Sequence, residues 1–163
     1  MSAGVRHLVC EAMTEATLPG ALAILTEFLS DDPHYRASSA IYGDAGPGAT
    51  SVALHLFLER PELGLVYVAR LEGAIIATCV VCYAISTSRG GLVAKLDDVS
   101  VARAHTGHGI GGAMLEALKD FLRAQGVSRI DCGCHRDNER AWRFYERHGF
   151  RPLHEERIAC LLT

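Results

Sequence analysis

The segment of this chain best suited to binding a ligand is a run of glycines that leads into an amphipathic helix. Gly107, Gly109, Gly111 and Gly112 follow the strand-like residues 96–101 and open that helix. Glycine lets the backbone approach a ligand closely and adopt positive φ, and the first turn of a helix carries N–H groups without helical acceptors. Such N–H groups attract anions. The spacing therefore predicts a phosphate-binding loop.

Two other phosphate-binding motifs fit this loop less well. A P-loop has Lys and then Ser or Thr after its last glycine, whereas Ala113 and Met114 stand here. The dinucleotide-binding fingerprint matches three of the glycines, and Asp131 lies near its expected acidic position. Its first glycine follows a strand directly, however, whereas residues 102–106 intervene here. The roughly fifty residues after the loop are also too few for the βα units that this fold still requires.

A second motif lies one helix and one strand after the loop. Residues 138–150 read Asn-Glu-Arg-Ala-Trp-Arg-Phe-Tyr-Glu-Arg-His-Gly-Phe. This segment resembles the second signature of the GCN5-related N-acetyltransferase (GNAT) superfamily, in which Asn, Ala, Phe-Tyr and Gly-Phe recur at this spacing. Residues 106–111 resemble the acetyl-CoA pyrophosphate motif of the same family, Gln/Arg-x-x-Gly-x-Gly/Ala. The resemblance extends over about residues 65–150.

The resemblance implies a single-domain α/β fold over residues 1–163, with a mixed central β-sheet flanked by helices. It also implies acetyl-CoA as cosubstrate. The backbone of the central strand would pair with the pantetheine arm and polarise the thioester carbonyl, and the glycine loop would hold the pyrophosphate. Asn138 would contact pantetheine or a structural water. The residues expected to contact the cofactor are Val99, Val101, Thr106, Gly107, His108, Gly109, Ile110, Gly111, Gly112, Asn138 and Tyr145.

One position departs from the family motif. Thr106 stands where the motif has Gln or Arg, and this substitution predicts a weaker grip on the pyrophosphate. Arg103 or His108, on either side of it, could supply the missing donor.

Asp97 is the residue expected to take a proton from the acceptor. An alkyl ammonium has a pKa of about 10 and cannot attack a thioester until it is deprotonated. Relatives that acetylate small amines often carry Glu in a Leu-Glu-Asp context, which residues 96–98 resemble. Because Asp is shorter than Glu, we expect a water relay. The alternative is that Asp97 and Asp98 only accept hydrogen bonds from backbone donors at a bend of the strand.

Tyr145 matches the general-acid tyrosine of the family, after the Asn-x-x-Ala-x-x-Phe spacing. Its phenol would donate to the leaving thiolate of coenzyme A. The alternative is that Tyr145 only packs, like its neighbour Phe144. Because neighbours on a helix point about 100° apart, one ring can face the core while the other faces the cleft.

The expected acceptor is a primary amine, of a small cationic molecule such as a polyamine or aminoglycoside or of a lysine side chain. Asp97, Asp98 and the acidic pair at residues 31–32 favour a cation. A non-catalytic acetyl-CoA-binding regulatory module is the alternative. Thr106 favours the module, and the presence of both Asp97 and Tyr145 favours catalysis. A homodimer is a further expectation from the resemblance.

The composition predicts a compact globular protein rather than a membrane or nucleic-acid-binding protein. The chain has 163 residues, of which 49% are hydrophobic, and a net charge of −3. No apolar run approaches the roughly 18 residues of a membrane span, and the N-terminus does not resemble a secretory leader. A mildly acidic chain is a poor general binder of nucleic acid. The expected location is the cytoplasm.

The cysteines and the basic run near the C-terminus are interpreted as structural features. No second Cys-x-x-Cys accompanies Cys79 and Cys82, so neither zinc nor disulfides are expected. Buried free thiols are predicted instead, and no metal. In residues 136–147, arginines are interrupted by glutamates, which is typical of a solvated helix face. The arginines that could also meet the phosphates of coenzyme A are Arg136, Arg140 and Arg143.

The hydrophobic periodicity predicts the elements that must position these residues. Strands are predicted at residues 5–13, 65–71, 74–85, 92–101, 129–134 and 157–162. Helices are predicted at residues 16–29, 50–60, 111–125 and 139–148. Residues 31–48 are rich in Gly, Ala, Asp, Ser and Pro and predict a long, mobile loop. The order gives an α/β domain with a mixed sheet.

Overall fold

The computed structural model describes residues 7–46 and 48–162, with the backbone alone for residues 38–42. No helix among the described residues is long and apolar enough to cross a membrane. The strands are β1 (Leu8–Ala12), β2 (Gly64–Leu71), β3 (Ala74–Ser86), β4 (Gly91–Val101) and β5 (Ile130–Cys132). The helices are α1 (Leu18–Asp31), α2 (Pro33–Tyr42), α3 (Ala49–Glu59), α4 (Ile110–Ala124) and α5 (Glu139–Arg147), with a 3₁₀ turn at Arg103–His105.

The five strands form one mixed sheet in the order β1-β2-β3-β4-β5. The first four strands pair antiparallel, and β5 pairs parallel with β4. Glu72 and Gly73 form the predicted hairpin turn between β2 and β3, with φ of 49° and 88°. The α/β fold with a mixed sheet and flanking helices is confirmed.

Each face of the sheet is covered by helices, because side chains alternate along a strand. In β2, Val66 and Val68 lie in the cluster formed with α1 and α3. Tyr67 and Ala69 lie in the opposite cluster, with α4. The side of α4 that faces the sheet carries the predicted apolar residues Met114, Leu115, Leu118 and Leu122, all buried.

The prediction of a loop over residues 31–48 is wrong in its first part, where α2 forms. Asp32 caps this helix: its Oδ1 accepts a hydrogen bond of 2.7 Å from the Tyr35 N–H, and its carbonyl accepts one of 3.0 Å from Arg36. Pro33 then occupies the first helical position, where its missing N–H costs nothing. The Asp-Pro pair, which the prediction took as a loop signal, is therefore a helix start.

The predicted strand at residues 157–162 does not form. Residues 151–162 have no regular secondary structure, and Ile158 is 95% exposed. The segment has the apolar composition of a strand, but a strand also needs a ladder partner. No described residue pairs with the outer edge of β5. Residues 5–6 of the predicted first strand lie outside the described residues.

Candidate active site

The two parallel strands β4 and β5 pair over only a short stretch and then separate. Their register joins Ala94, Lys95 and Leu96 of β4 to β5. Beyond Leu96, no described strand covers this edge of β4. The Ala102 N–H donates to the Ile76 carbonyl on the β3 side at 2.7 Å. Because backbone groups alternate between the two edges of a strand, the N–H groups of Val99 and Val101 face the open edge.

A β-bulge interrupts β4 where this edge becomes free. Thr78 pairs with Ser100 and Val80 with Asp97, so the single residue between them on β3 faces both Asp98 and Val99. Asp98 adopts φ of 51°, a left-handed conformation that Asp tolerates better than most residues. A bulge leaves a residue out of the ladder and changes where its side chain points.

The glycine loop lies between β4 and α4. Gly107 and Gly109 have φ of 80° and 79°, and a Cβ at either position would meet no atom within 4 Å. Their backbone conformation therefore requires glycine, and the space beside them is open. Gly109 is the N-cap of α4 and provides no side-chain cap. Since the first helical bond is Ala113 N–H to the Gly109 carbonyl, the preceding helical N–H groups, at residues 110–112, have no acceptor within the helix.

Glycine is needed at positions 111 and 112 for a different reason, which is helix packing. A Cβ on Gly111 would lie 3.4 Å from Cγ2 of Val101. A Cβ on Gly112 would lie 3.0 Å from Nε2 of His148, after the end of α5. These two glycines let α4 approach β4 and α5, so substitution there would disturb the fold as well as any ligand.

Thr106 and Arg103, at the start of the loop, bond to the protein itself. Thr106 Oγ1 donates to the Arg103 carbonyl at 2.6 Å, which closes the 3₁₀ turn. The Arg103 guanidinium lies 2.7 Å from Asp31 Oδ2 and 3.6 Å from Glu27 Oε1, both on α1. His108 is exposed. Of the two donors considered for the pyrophosphate, Arg103 is already paired and His108 makes no ion pair with a described residue.

Asn138 begins α5. Its Oδ1 accepts a hydrogen bond of 3.1 Å from the Ala141 N–H, which satisfies one of the free donors of the first turn. The N–H₂ group of the same side chain is not used by this cap. Asn138 therefore has a structural role in the protein alone, with donors left over for a ligand.

Tyr145 lies partly buried against the main core. Its ring centroid is 5.3 Å from that of Phe144 and 5.2 Å from that of Phe150. Burial is the largest cause that raises the pKa of Tyr145 far above its ordinary value, and the neighbouring Cys132 raises it further. Cys132, the last residue of β5, is the neighbour that acts most strongly on the phenol after burial. Tyr145 therefore keeps its proton and lies near a sulfur atom at the edge of β5.

The two carboxylates of β4 have different surroundings. Asp97 Oδ2 lies 2.7 Å from Lys95 Nζ. The carboxylate of Asp98 forms no hydrogen bond or ion pair with the described residues. Burial first, and then the charge of Asp97, raises the pKa of Asp98 to about 6, while Lys95 opposes the rise and Asp32 adds to it. Lys95 was missed in the sequence, although its spacing of two from Asp97 places both side chains on one face of a strand.

Comparison with known proteins agrees with this geometry. The model of the Acetyltransferase (GNAT) family matches residues 24–150. The chain belongs to the GNAT acetyltransferase family. It is an N-acetyltransferase, and its family uses acetyl-CoA as cosubstrate. No curated protein matches the chain.

Solved structures of low sequence identity share the fold of this acetyltransferase. A transcriptional regulator from Bacillus halodurans C-125 superposes with a TM-score of 0.76 at 21% identity, covering 95% of this chain and 100% of the other. A Trypanosoma brucei acetyltransferase has a TM-score of 0.68 at 22% identity, with 95% and 99% covered. An aminoglycoside acetyltransferase from an uncultured soil metagenomic sample has a TM-score of 0.70 at 20% identity, with 98% and 97% covered.

All six cysteines of this acetyltransferase are free thiols, as predicted. Their predicted burial holds for Cys79 but is wrong for Cys160, which is exposed because its segment forms no strand. Among the described residues, no three His, Cys, Asp or Glu side chains are grouped so as to hold a metal ion.

The basic residues of α5 line an open cavity of about 560 Å³. Its lining includes Arg140, Arg143 and Arg147 of α5 and His34 of α2. Arg143 pairs with Glu139 at 2.9 Å and is 71% exposed, and Arg136 pairs with Glu156. The prediction of a solvated helix face agrees with these exposed pairs.

Proposed function

We propose that this acetyltransferase moves the acetyl group of acetyl-CoA directly to a primary amine of a cationic acceptor. The acceptor is a small molecule of polyamine or aminoglycoside type or a lysine side chain. The single observation that carries the proposal is the open edge of β4, with the N–H groups of Val99 and Val101 turned toward it. This edge lies beside the uncapped start of α4 at Gly109.

The same edge and loop suit the parts of acetyl-CoA. The pantetheine arm carries amide groups that can pair with Val99 and Val101 as an added strand would. The pyrophosphate carries the negative charge that the start of α4 attracts. The residues that would hold it are Thr106, Gly107, His108, Gly109, Ile110, Gly111 and Gly112. Asn138 would bind pantetheine through its side-chain N–H₂ group.

Positioning of the two reactants would supply most of the rate acceleration. Holding the amine and the thioester in line converts a bimolecular step into a unimolecular one, worth up to about 7–11 kcal/mol. Backbone N–H groups at the bulge would stabilise the negative charge that develops on the carbonyl oxygen. Tyr145 would donate a proton or hydrogen bond to the leaving sulfur, and a carboxylate of β4, Asp97 or its neighbour, would take the proton of the amine.

A cationic acceptor is supported by the charges that meet at the cleft. Asp97 and Asp98 lie at the bulge, and Asp32 from the start of α2 interacts electrostatically with Asp98. Lys95 offsets one of these charges. The remaining negative charge would raise the local concentration of an ammonium.

Release of coenzyme A thiol, measured over a panel of amines, tests the proposal. The panel holds 1,5-diaminopentane, spermidine, kanamycin and a lysine-containing peptide, with an N-acetylated form of each as the control. We expect thiol release that depends on one class of free amine, together with its acetylated product by mass spectrometry. Tight binding of acetyl-CoA by calorimetry with no release on any amine would favour a regulatory module instead.

A further inference from the structure

Asp97 is already used by the protein. Its Oδ2 lies 2.7 Å from the Lys95 ammonium, and the carboxylate is 25% exposed. To accept a proton from a substrate, Asp97 would have to give up this ion pair. The loss of a partner for a partly buried charge opposes that step.

The Asp98 carboxylate, unlike that of Asp97, is not paired with a cation in the part of the chain that the structure describes. Asp98 is less than half exposed, and its carboxylate forms no hydrogen bond or ion pair with the described residues. It lies on the bulge and precedes Val99, whose N–H faces the open edge where the thioester would bind. The Asp98 carboxylate is therefore one residue away from the N–H group that would bind the thioester carbonyl. Its oxygens have lone pairs that can accept a proton.

The groups around Asp98 come from three parts of the fold. Those that interact with it electrostatically are Lys95 and Asp97 on β4, Asp32 and Tyr35 at the start of α2, and Cys82 on β3. Two are carboxylates and one is an ammonium, while the phenol and the thiol are neutral at the pH of the reaction because burial raises the pKa of both Tyr35 and Cys82. The site as a whole favours a proton on Asp98.

We propose that Asp98, rather than Asp97, takes the proton from the acceptor amine, and that the Lys95–Asp97 ion pair acts as a positioning pair beside it. This inference rests on the proposed function. It changes the residue assigned to the base, and it predicts that the two neighbouring carboxylates respond differently to the same substitution.

The proton balance of the reaction is simple. The ammonium gives one proton to Asp98, and the resulting amine attacks the thioester carbonyl. The C–N bond forms and the C–S bond breaks. Tyr145 protonates the leaving thiolate. The second proton of the nitrogen, lost as the amide forms, restores the Tyr145 phenol by way of solvent, and Asp98 returns its own proton to solvent. One proton is released overall.

The test compares Asp98→Asn with Asp97→Asn, which are equal in size and in charge lost. kcat/KM is measured from pH 5 to pH 10 with the fastest amine of the panel. In the parent, the rate should fall below about pH 6. In Asp98→Asn, only unprotonated amine can react, so the midpoint should move to about 10 and activity at pH 7 should fall about 10³-fold. In Asp97→Asn, the acidic limb should remain and move to lower pH, because a charge that opposes ionisation of Asp98 is gone.

Persistence of the acidic limb in Asp98→Asn, or its loss in Asp97→Asn, would overturn the assignment. Melting curves and acetyl-CoA calorimetry on both variants show whether each is folded and binds the cosubstrate. A second readout, NMR titration of the ¹³C carboxyl signals, needs no turnover. The signal of Asp98 is identified as the one missing from the spectrum of Asp98→Asn. In the parent it should titrate near pH 6, and a midpoint below about 4 contradicts the proposal. An inactive parent would count against the proposed function, whereas an active parent with the variant roles reversed counts against Asp98 alone.

Discussion

The Lys95 ammonium lies 2.7 Å from the Asp97 carboxylate, immediately before the bulge that carries Asp98. The two side chains meet because residues two apart on a strand share a face. Burial is the largest cause that raises the pKa of Asp98, Asp97 raises it further, and Lys95 lowers it. The ion pair therefore contributes two opposing charges to the pH at which the neighbouring carboxylate can accept a proton.

Removing the ammonium should move the pH profile upward. In Lys95→Met, Asp98 loses the positive charge that favours its ionised form, and Asp97 is left unpaired beside it. The acidic limb of kcat/KM should shift by about one pH unit to higher pH. Arg60→Met is the control, because Arg60 forms an exposed pair of 2.6 Å with Glu62 after α3. An unchanged limb in Lys95→Met would show that the pair does not act on the proton acceptor.

Stability should depend on the charge of Asp98. Burial raises its pKa from 3.8 to about 6, so the folded state binds more protons than the unfolded state between these values. The free energy of unfolding should therefore fall as the pH rises from about 4 to 6, by an amount on the order of 2 kcal/mol.

Asp98→Asn should abolish this dependence. Asn tolerates the left-handed φ of this position about as well as Asp does, so little strain is added. In urea denaturation, the variant should be more stable than the parent at about pH 7.5 and close to it near pH 4. A difference that stays constant with pH would mean that burial of the Asp98 charge costs nothing.

The glycine loop should be tested at Gly109, with Gly126 as a matched control. Both have φ near 80° and open space where a Cβ would lie, and they lie at opposite ends of α4. Gly109→Ala and Gly126→Ala should each cost about 1–2 kcal/mol of stability. Only Gly109→Ala should weaken acetyl-CoA binding in calorimetry, because its backbone strain reshapes the anion-binding turn. Equal binding by the two variants would exclude the loop as the pyrophosphate site.

Tyr145→Phe separates proton donation from packing. It removes one oxygen and leaves the ring contacts with Phe144 and Phe150. A proton donor predicts a fall in kcat of roughly 10²- to 10⁴-fold with acetyl-CoA binding nearly unchanged. Because burial keeps the phenol protonated, Tyr145 should add no basic limb to the pH profile below about pH 10.

Tyr67→Phe is the control for the lost hydroxyl. The Tyr67 hydroxyl donates to the Cys10 carbonyl at 3.3 Å, in the same core but on β2. Its removal should cost about 1 kcal/mol of stability and leave kcat unchanged. Turnover of Tyr145→Phe within about threefold of the parent would assign Tyr145 to packing.

Elements with strong local patterns were predictable from the sequence. The apolar periodicity of α4 and the Glu72-Gly73 turn each specify their structure within a few residues, and both were confirmed. The family follows from two short motifs in order, because the spacing of glycines and of Asn138 to Phe150 is itself the signal. The glycine loop before α4 and the start of α5 at Asn138 can be recognised from local sequence alone, because neither depends on a contact with a distant residue.

The tertiary structure decided which of these residues meet. Helix α2 forms because Asp32 caps its first turn, which the Asp-Pro pair alone does not reveal. The strand expected at residues 157–162 would need to pair with the outer edge of β5, and in the described residues that edge has no partner strand. Asp97 and Asp98 are the same residue type at adjacent positions, so the sequence cannot distinguish them. A bulge, an ion pair with Lys95 and the approach of Asp32 make their surroundings different, since the free energy of a charge depends on burial and on neighbours that only the folded chain brings together.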